Sequence, residues 1–240
     1  MKNLVIGSVA VAALSQAAGC IFVSDSNNDA LLTAHWELEN FVGSTITTCP
    51  VGFNTATIIS QPVDNQNNPI GAPIFDLFDC EAHGGTISLP PGPYQISISI
   101  ETDGGSSQYA ESIAEIIDLT FDDGSYDTTI FNDAGYLDMS WNFVGDTSNQ
   151  PLSCSQFLSD GVKSVATNVT TPTSTFTDKF NCEDLGGLTS PVPAGTYDVD
   201  IQAFRGTQVI GSAPTLPNVV VDDKNAVTNL GTVTVRMTGL

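Results

Sequence analysis

The 240-residue sequence predicts an all-β protein built as two tandem β-sandwich domains, each with one disulfide. Three observations lead there. Apolar and polar residues alternate with a two-residue period over many short stretches, and no segment longer than a few turns has a helical period. One composite motif occurs twice, about 100 residues apart, which marks a duplicated domain. Four of the five cysteines fall into the two copies at matched spacing.

The first copy of the motif runs Asp76-Leu77-Phe78-Asp79-Cys80, then Gly84-Gly85, then Pro90-Pro91-Gly92-Pro93-Tyr94. The second runs Asp178-Lys179-Phe180-Asn181-Cys182, then Gly186-Gly187, then Pro193-Ala194-Gly195-Thr196-Tyr197. Trp36 and Cys49 precede the first copy, and Trp141 and Cys154 precede the second. The expected organisation is an export signal over 1–19, a tether over 20–30, a first sandwich over 31–131 and a second over 135–240. Asn132-Asp133-Ala134 forms a short junction that holds the two close together.

At the N-terminus, Lys2 precedes an apolar run from Leu4 to Leu14, and Ala17-Ala18-Gly19-Cys20 follows. The run is too short to span a bilayer, and a charged start with a small-residue end is the pattern of an export signal. It resembles a bacterial lipoprotein signal, with Ala17 where that family usually has Leu. The resemblance implies acylation of Cys20 and anchoring in a membrane by several acyl chains. An ordinary signal-peptidase cut near Ala17 or Ala18 is the competing expectation. Cysteine parity favours lipidation, because Cys20 is the thiol left over after the repeats take the other four. Ile21 after the cysteine points to the outer membrane of a bacterial cell envelope, with surface or periplasmic orientation open.

Export makes Cys49–Cys80 and Cys154–Cys182 the expected disulfides rather than zinc ligands, since neither pair has C-x-x-C spacing; cross-pairing between the copies is the alternative, which the matched spacing disfavours. Ser24 to Asp29 is polar and aperiodic, as a tether should be. Leu32, Ala34 and Trp36 alternate with polar neighbours, as Ile96, Ile98 and Ile100 do with Gln95, Ser97 and Ser99. Thr55 to Ser60 and Thr86 to Leu89 read as strands, Asp64 to Pro69 as a turn, and Thr128 to Phe131 as the closing strand. Over Ile113 to Phe121 a short helix competes with a strand. In the second copy, Tyr136 to Phe143, Val162 to Asn168, Tyr197 to Ile201, Val219 to Val221 and Thr232 to Val235 supply the corresponding strands.

The stretches Leu89 to Ile98 and Val192 to Ile201 are similar to the L-P-x-G-x-Y-x-V-x-V pattern of prealbumin-like sandwiches, which include carboxypeptidase regulatory-like and collagen-adhesin B-type repeats. The resemblance implies the fold and leaves function open. Those adhesin repeats often carry a Lys–Asn isopeptide crosslink, and the first copy has no Lys to form one. An immunoglobulin-like sandwich is the alternative, although there the core Trp lies between the cysteines, whereas Trp36 and Trp141 precede both.

The formal net charge is -21, and no Lys or Arg occurs from Asn3 through Val162. Such a chain cannot neutralise phosphates, which excludes nucleic-acid binding. The acidity accords with a solvated, soluble surface, or with divalent-cation or cationic-ligand binding. Asp122-Asp123-Gly124 and Asp222-Asp223 sit near the end of each copy and are the calcium candidates, although the D-x-[DN]-x-[DN]-G loop is absent and Asp is common in turns. His35 and His83 are the only histidines, beside Glu37 and Glu81, and have no counterparts in the second copy. A duplicated His-based site is therefore excluded, and a surface role is the default. No G-x-S-x-G, H-E-x-x-H or P-loop motif occurs. Tyr94 and Tyr197 fit a core position better than a carbohydrate-stacking one.

Together these features point to a non-enzymatic, lipid-anchored envelope protein without a cofactor, acting as a structural or adhesion-type binding module for a protein or glycan partner. A calcium-dependent adhesion module and a hydrolase with an unrecognised carboxylate pair are the alternatives.

Overall fold

The computed structural model describes residues 29–157 and 159–239, so the export signal, Cys20 and the tether up to Asn28 lie outside the described residues. The first sandwich contains β1 (Ala30–Asn40), β2 (Thr45–Thr47), β3 (Thr55–Pro62), β4 (Ile74–Asp79), β5 (Gly84–Leu89), β6 (Pro93–Glu101), β7 (Gln108–Glu111), β8 (Glu115–Asp118) and β9 (Gly124–Phe131). The second contains β10 (Ala134–Gly145), β11 (Pro151–Leu152), β12 (Gly161–Asn168), β13 (Thr175–Phe180) and β14 (Gly186–Leu188). It is completed by β15 (Val192–Pro193), β16 (Gly195–Arg205), β17 (Gln208–Ser212), β18 (Leu216–Val221) and β19 (Val227–Met237). Ala30, expected in the tether, is the first residue of β1 because it pairs with Leu89. Within the stretch from Ile113 to Phe121 the middle, Glu115–Asp118, is strand rather than helix, since β8 pairs antiparallel with β6 and places Ile117 opposite Tyr94.

In the first sandwich, β1 lies between β9 on one side and β5 and β2 on the other, and it runs parallel to β9. The facing sheet has the order β4-β3-β6, with β7 and β8 both on the far side of β6. First and last strands thus lie side by side in one sheet, which is not the immunoglobulin order. The second sandwich repeats this plan, with β10 against β19 in parallel and β13-β12-β16 facing them. There β17 pairs with both β16 and β19, so the two sheets merge along one edge.

The alternating residues fill the cores. Leu32, Ala34, Trp36 and Leu38 from β1 meet Ile96, Ile98 and Ile100 from β6, all fully buried. Leu137, Met139, Trp141 and Phe143 meet Tyr197, Val199, Ile201 and Ala203 in the second core. Tyr94 and Tyr197 are core residues, and each donates its hydroxyl to the carbonyl four residues back, Pro90 and Pro193, at 2.8 Å. Ser97 and Ser99 break the expected contrast between inner and outer faces. They point outward yet are buried, because Glu111 and Gln108 lie over them: Ser97 Oγ donates to Glu111 at 2.7 Å and Gln108 Nε2 donates to Ser99 at 3.0 Å.

The duplicated motif explains itself in space. Cys49–Cys80 and Cys154–Cys182 form, with Cα atoms 6.2 and 5.8 Å apart. Each C-terminal cysteine opens a one-turn 3-10 helix whose carbonyl accepts the indole N–H of the core Trp, Trp36 at 2.9 Å and Trp141 at 3.4 Å. The Phe two residues before that Cys lies on the second glycine of the Gly-Gly pair. A Cβ at Gly85 would stand 2.5 Å from the Phe78 ring, and one at Gly187 would overlap Phe180. Only glycine permits that approach.

Two stability predictions arise here. Each disulfide closes a loop of roughly 30 residues, worth about 3.5 kcal/mol in the chain-entropy model. Replacing Cys49 and Cys80 by Ala should therefore lower the unfolding free energy by about 3 kcal/mol in denaturant titrations. Ser60 Oγ is buried in the first core and has no partner among the described residues, whereas Ala166 occupies the matching place opposite Val199. An unsatisfied hydroxyl costs about 1–3 kcal/mol, so Ser60→Ala should raise the denaturation midpoint, and a lowered one would contradict this account.

Candidate functional site

A cluster of part-buried polar contacts lies where the two sandwiches meet. Asn132 and Asp133 alone separate β9 from β10, and both side chains reach across the chain. The Asp133 carboxylate accepts the backbone N–H of Phe41 at 2.6 Å and of Val42 at 3.1 Å, in the turn after β1. Asn132 donates to Asn40 and Thr47 and accepts the Tyr109 hydroxyl at 3.1 Å. The loop from Asp222 to Ala226, between β18 and β19, supplies the other half. Its Asn225 is only 4% exposed and left-handed at φ 59°. Asn225 accepts the Phe131 N–H at 2.8 Å, donates its amide to the Thr129 carbonyl, and gives its backbone N–H to Ala134. Lys224 Nζ sits 5.0 Å from the Tyr109 ring centre, a cation–π contact between the sandwiches.

Packing reinforces these bonds. Phe41 meets Phe131 edge-on at 5.5 Å and Phe176 of the second sandwich at 6.3 Å. Beside them opens a cleft of about 370 Å³ whose walls come from both sandwiches, with Phe41 and exposed Val42 on one side and Phe176, Pro193 and Tyr197 on the other. Phe41 and Phe176 offer partly exposed aromatic surface while Tyr197 stays buried behind them, and with hydroxyl and amide groups at the rim the cleft suits an apolar side chain or a sugar ring.

Tyr136 belongs to the same junction. It lies on the outward side of β10, next to Leu137 of the core, yet is nearly buried, and burial followed by the proximity of Tyr126 pushes its hydroxyl up to about 12.

The other candidates are placed as follows. Asp122 and Asp123 lie in the turn between β8 and β9, where Asp123 accepts the Leu31 N–H at 2.8 Å and ties down the start of β1. Asp222 and Asp223 lie in the junction loop. Among the described residues, no group of three or more His, Cys, Asp or Glu side chains converges as a metal site requires. His35 Nδ1 is 3.0 Å from Asp127 on the exposed face of β1 and β9. His83 caps the first 3-10 turn in a left-handed conformation, φ 54°, with Nδ1 3.2 Å from the Trp36 carbonyl. Leu185 holds the same conformation at the same place in the second sandwich, so the turn itself does not require a histidine. Cys20 lies outside the described residues.

Sequence reasoning named Asp133 only as part of the short junction and Tyr136 only as a strand residue, and it did not single out Asn225 or Phe41. The available signals were an apolar Phe41-Val42 pair inside a turn and Asn225 following three charged residues in a loop.

No protein-family model matches the chain, and no curated protein does. Solved structures resemble it at low identity. A leucine-rich repeat protein from Bacteroides thetaiotaomicron aligns with 88% of this chain and 26% of its own length, at 11% identity and a TM-score of 0.39. GBS52, the minor pilin of Streptococcus agalactiae, aligns over 88% of this chain and 97% of its own, at 10% identity and TM-score 0.31. A candidate adhesin from Bacteroides ovatus aligns over 93% and 94%, at 9% identity and TM-score 0.30.

The junction yields a pH prediction. Tyr136 has a folded pKa above its usual 10, so the folded state holds this proton more tightly than the unfolded chain does. Its contribution is complete below pH 10 and is lost as pH rises toward 12. Burial also raises Tyr94, Tyr109 and Tyr126, in the same direction. Tyr136→Phe should flatten the alkaline fall in stability by up to about 2 kcal/mol, read from denaturation midpoints at pH 9 and above.

Proposed function

We propose that this chain is a non-enzymatic, lipid-anchored envelope protein whose two sandwiches form a stiff spacer and binding module for a protein or glycan partner. The observation that carries this reading is the junction: two linker residues, an Asp133 clamp from one side and an Asn225 clamp from the other. A flexible tether between domains would need none of these bonds, whereas a rod that holds a binding surface away from a membrane uses such bonds to limit motion between its halves. The acylated Cys20 supplies the anchor, and the polar stretch to Asp29 gives it reach. The role draws on this architecture and not on the names of the structural neighbours.

Small-angle scattering on the exported chain, kept soluble by Cys20→Ser, tests the spacer. The parent should show a single elongated shape, and Asn225→Ala combined with Asp133→Ala should broaden its distance distribution while each core stays folded. A parent already fitted only by freely moving domains would refute the spacer role. In parallel, metabolic labelling with a fatty-acid analogue should mark the parent and spare Cys20→Ser.

A further inference from the structure

The two sandwiches differ most at the free edge of the sheet that faces β1 and β10. In that sheet β4 pairs only with β3, and its counterpart β13 only with β12. Their sequences superpose through the following Cys: Ile74-Phe75-Asp76-Leu77-Phe78-Asp79 on Phe176-Thr177-Asp178-Lys179-Phe180-Asn181. Along β13 the outward residues are Thr177 and Lys179, and Lys179 Nζ lies 5.5 Å from the Phe204 ring centre. A lysine on an edge strand resists pairing with another chain. Along β4 the same two places hold Phe75 and Leu77, which are 56% and 61% exposed, and no Lys or Arg occurs anywhere in the first sandwich to protect the edge.

The residue between them differs in its partners. Asp178 accepts both the N–H and the hydroxyl of Ser190, at 3.1 and 2.7 Å. Asp76 occupies the matching position, half-buried, and its carboxylate has no hydrogen-bond or ion-pair partner among the described residues. Burial pushes its carboxyl up, as an uncompensated charge at a partly dry edge requires. Unpaired main-chain groups, two exposed apolar side chains and a carboxylate without a counter-ion therefore share one short strand.

We propose that the free edge of β4 receives an extended segment of a partner protein, which adds a strand to this sheet. Main-chain pairing supplies the attachment. Two apolar side chains of the incoming strand pack on Phe75 and Leu77, and the residue between them, pointing to the other face, is a Lys or Arg that meets Asp76. The recognition element is an apolar-cation-apolar run within a strand of about six residues. A second copy of this chain fits worse. In the antiparallel register that sets Phe75 against Leu77, Asp76 faces Asp76, and like charges directly opposite are destabilising. Each copy also carries a formal net charge of -21.

This inference deepens the binding role proposed above by giving it a surface and a partner chemistry, and it does not use the junction. The probe is a fluorescein-labelled Ser-Val-Lys-Val-Lys-Val-Ser peptide, titrated into the exported chain carrying Cys20→Ser. Saturable binding is expected, with amide shifts in nuclear magnetic resonance spectra concentrated on β4. Methylating the central Val nitrogen keeps the peptide's charge but blocks pairing, and should weaken binding about tenfold, the loss of one to two net hydrogen bonds. Phe75→Thr with Leu77→Thr, which leaves the protein charge unchanged and follows the polar pattern β13 uses, should do the same. Asp76→Asn should reduce the salt dependence, and a Glu-for-Lys peptide should not bind. Equal binding of the methylated and parent peptides would mean attraction of a polycation to an acidic surface, and would overturn the proposal. So would a dimer seen by sedimentation without peptide and abolished by Leu77→Lys, which would make a second copy the occupant. Either result, with the scattering profile of the parent still rigid, would leave the spacer role standing and remove this edge from it.

Discussion

The hydrogen bond from the core Trp to the carbonyl of the second disulfide cysteine is the point on which each sandwich depends. It fixes the depth at which β1 and β10 enter their cores, because the indole must reach the start of the 3-10 turn while its rings stay among the apolar residues. The disulfide holds that turn in place, and the turn carries the chain from one sheet to the other. The Phe preceding the Cys then covers the neighbouring Gly-Gly strand, 6.3 Å from Trp36 in one copy and 5.5 Å from Trp141 in the other. Covalent, hydrogen-bonding and packing constraints thus meet in one place. That convergence is why these residue types recur together while the loops between them do not.

Duplicating such a unit leaves the question of how two copies relate, and here the chain treats its copies unequally. The start of β1 has Leu31 exposed, whereas β10 places Tyr136 at the matching position and buries it against the first sandwich. The loop before the last strand closes on its own sandwich through Asp123 in the first copy. In the second it turns toward the neighbour through Lys224 and Asn225. The same loop position has been used for self-closure once and for coupling once. The contacts between the copies therefore come from a few substitutions on a shared frame, with no added element.

What the sequence made legible follows the range of the interactions. The strands of period two, the Pro-Gly turns, the paired cysteines and the duplicated motif depend on residues near one another in the chain, and they could be read in order. The junction's position could be read too, but not the bonds that fasten it. Asp133 and Phe41 are 92 positions apart, Asn225 and Phe131 94, and nothing in local composition says that an Asn in an acidic loop will find them. Alternation also failed to separate the faces at Ser97 and Ser99, since long side chains from β7 cover small ones on β6. The contrast between Thr177 and Lys179 on one edge and Phe75 and Leu77 on the other was present in the sequence. It acquires meaning only once both stretches are known to be edges.

The acidic composition acquires a structural role once the hydrogen bonds are traced. The first sandwich has no Lys or Arg of its own, and many of its carboxylates bind main-chain N–H groups and hydroxyls instead. Asp64 gathers the N–H groups of Gln66 and Asn68 together with the Asn68 amide, and the Asn68 bonds hold its carboxyl below the usual range. Asp118 does the same with Thr120. Asp79 caps the 3-10 turn through the Glu81 N–H, and Glu81 in turn accepts the N–H of Cys49, beside the disulfide. For Asp64 and Asp118, whose pKa values are depressed, the stabilisation is present above the ordinary carboxylate range and is lost as pH falls below it through their lowered values. These bonds use the negative charge as an acceptor without needing a positive one. A cation-free sandwich can therefore be both strongly acidic and locally well tied, and it leaves Asp76, on an open edge, as a carboxylate that this arrangement does not satisfy.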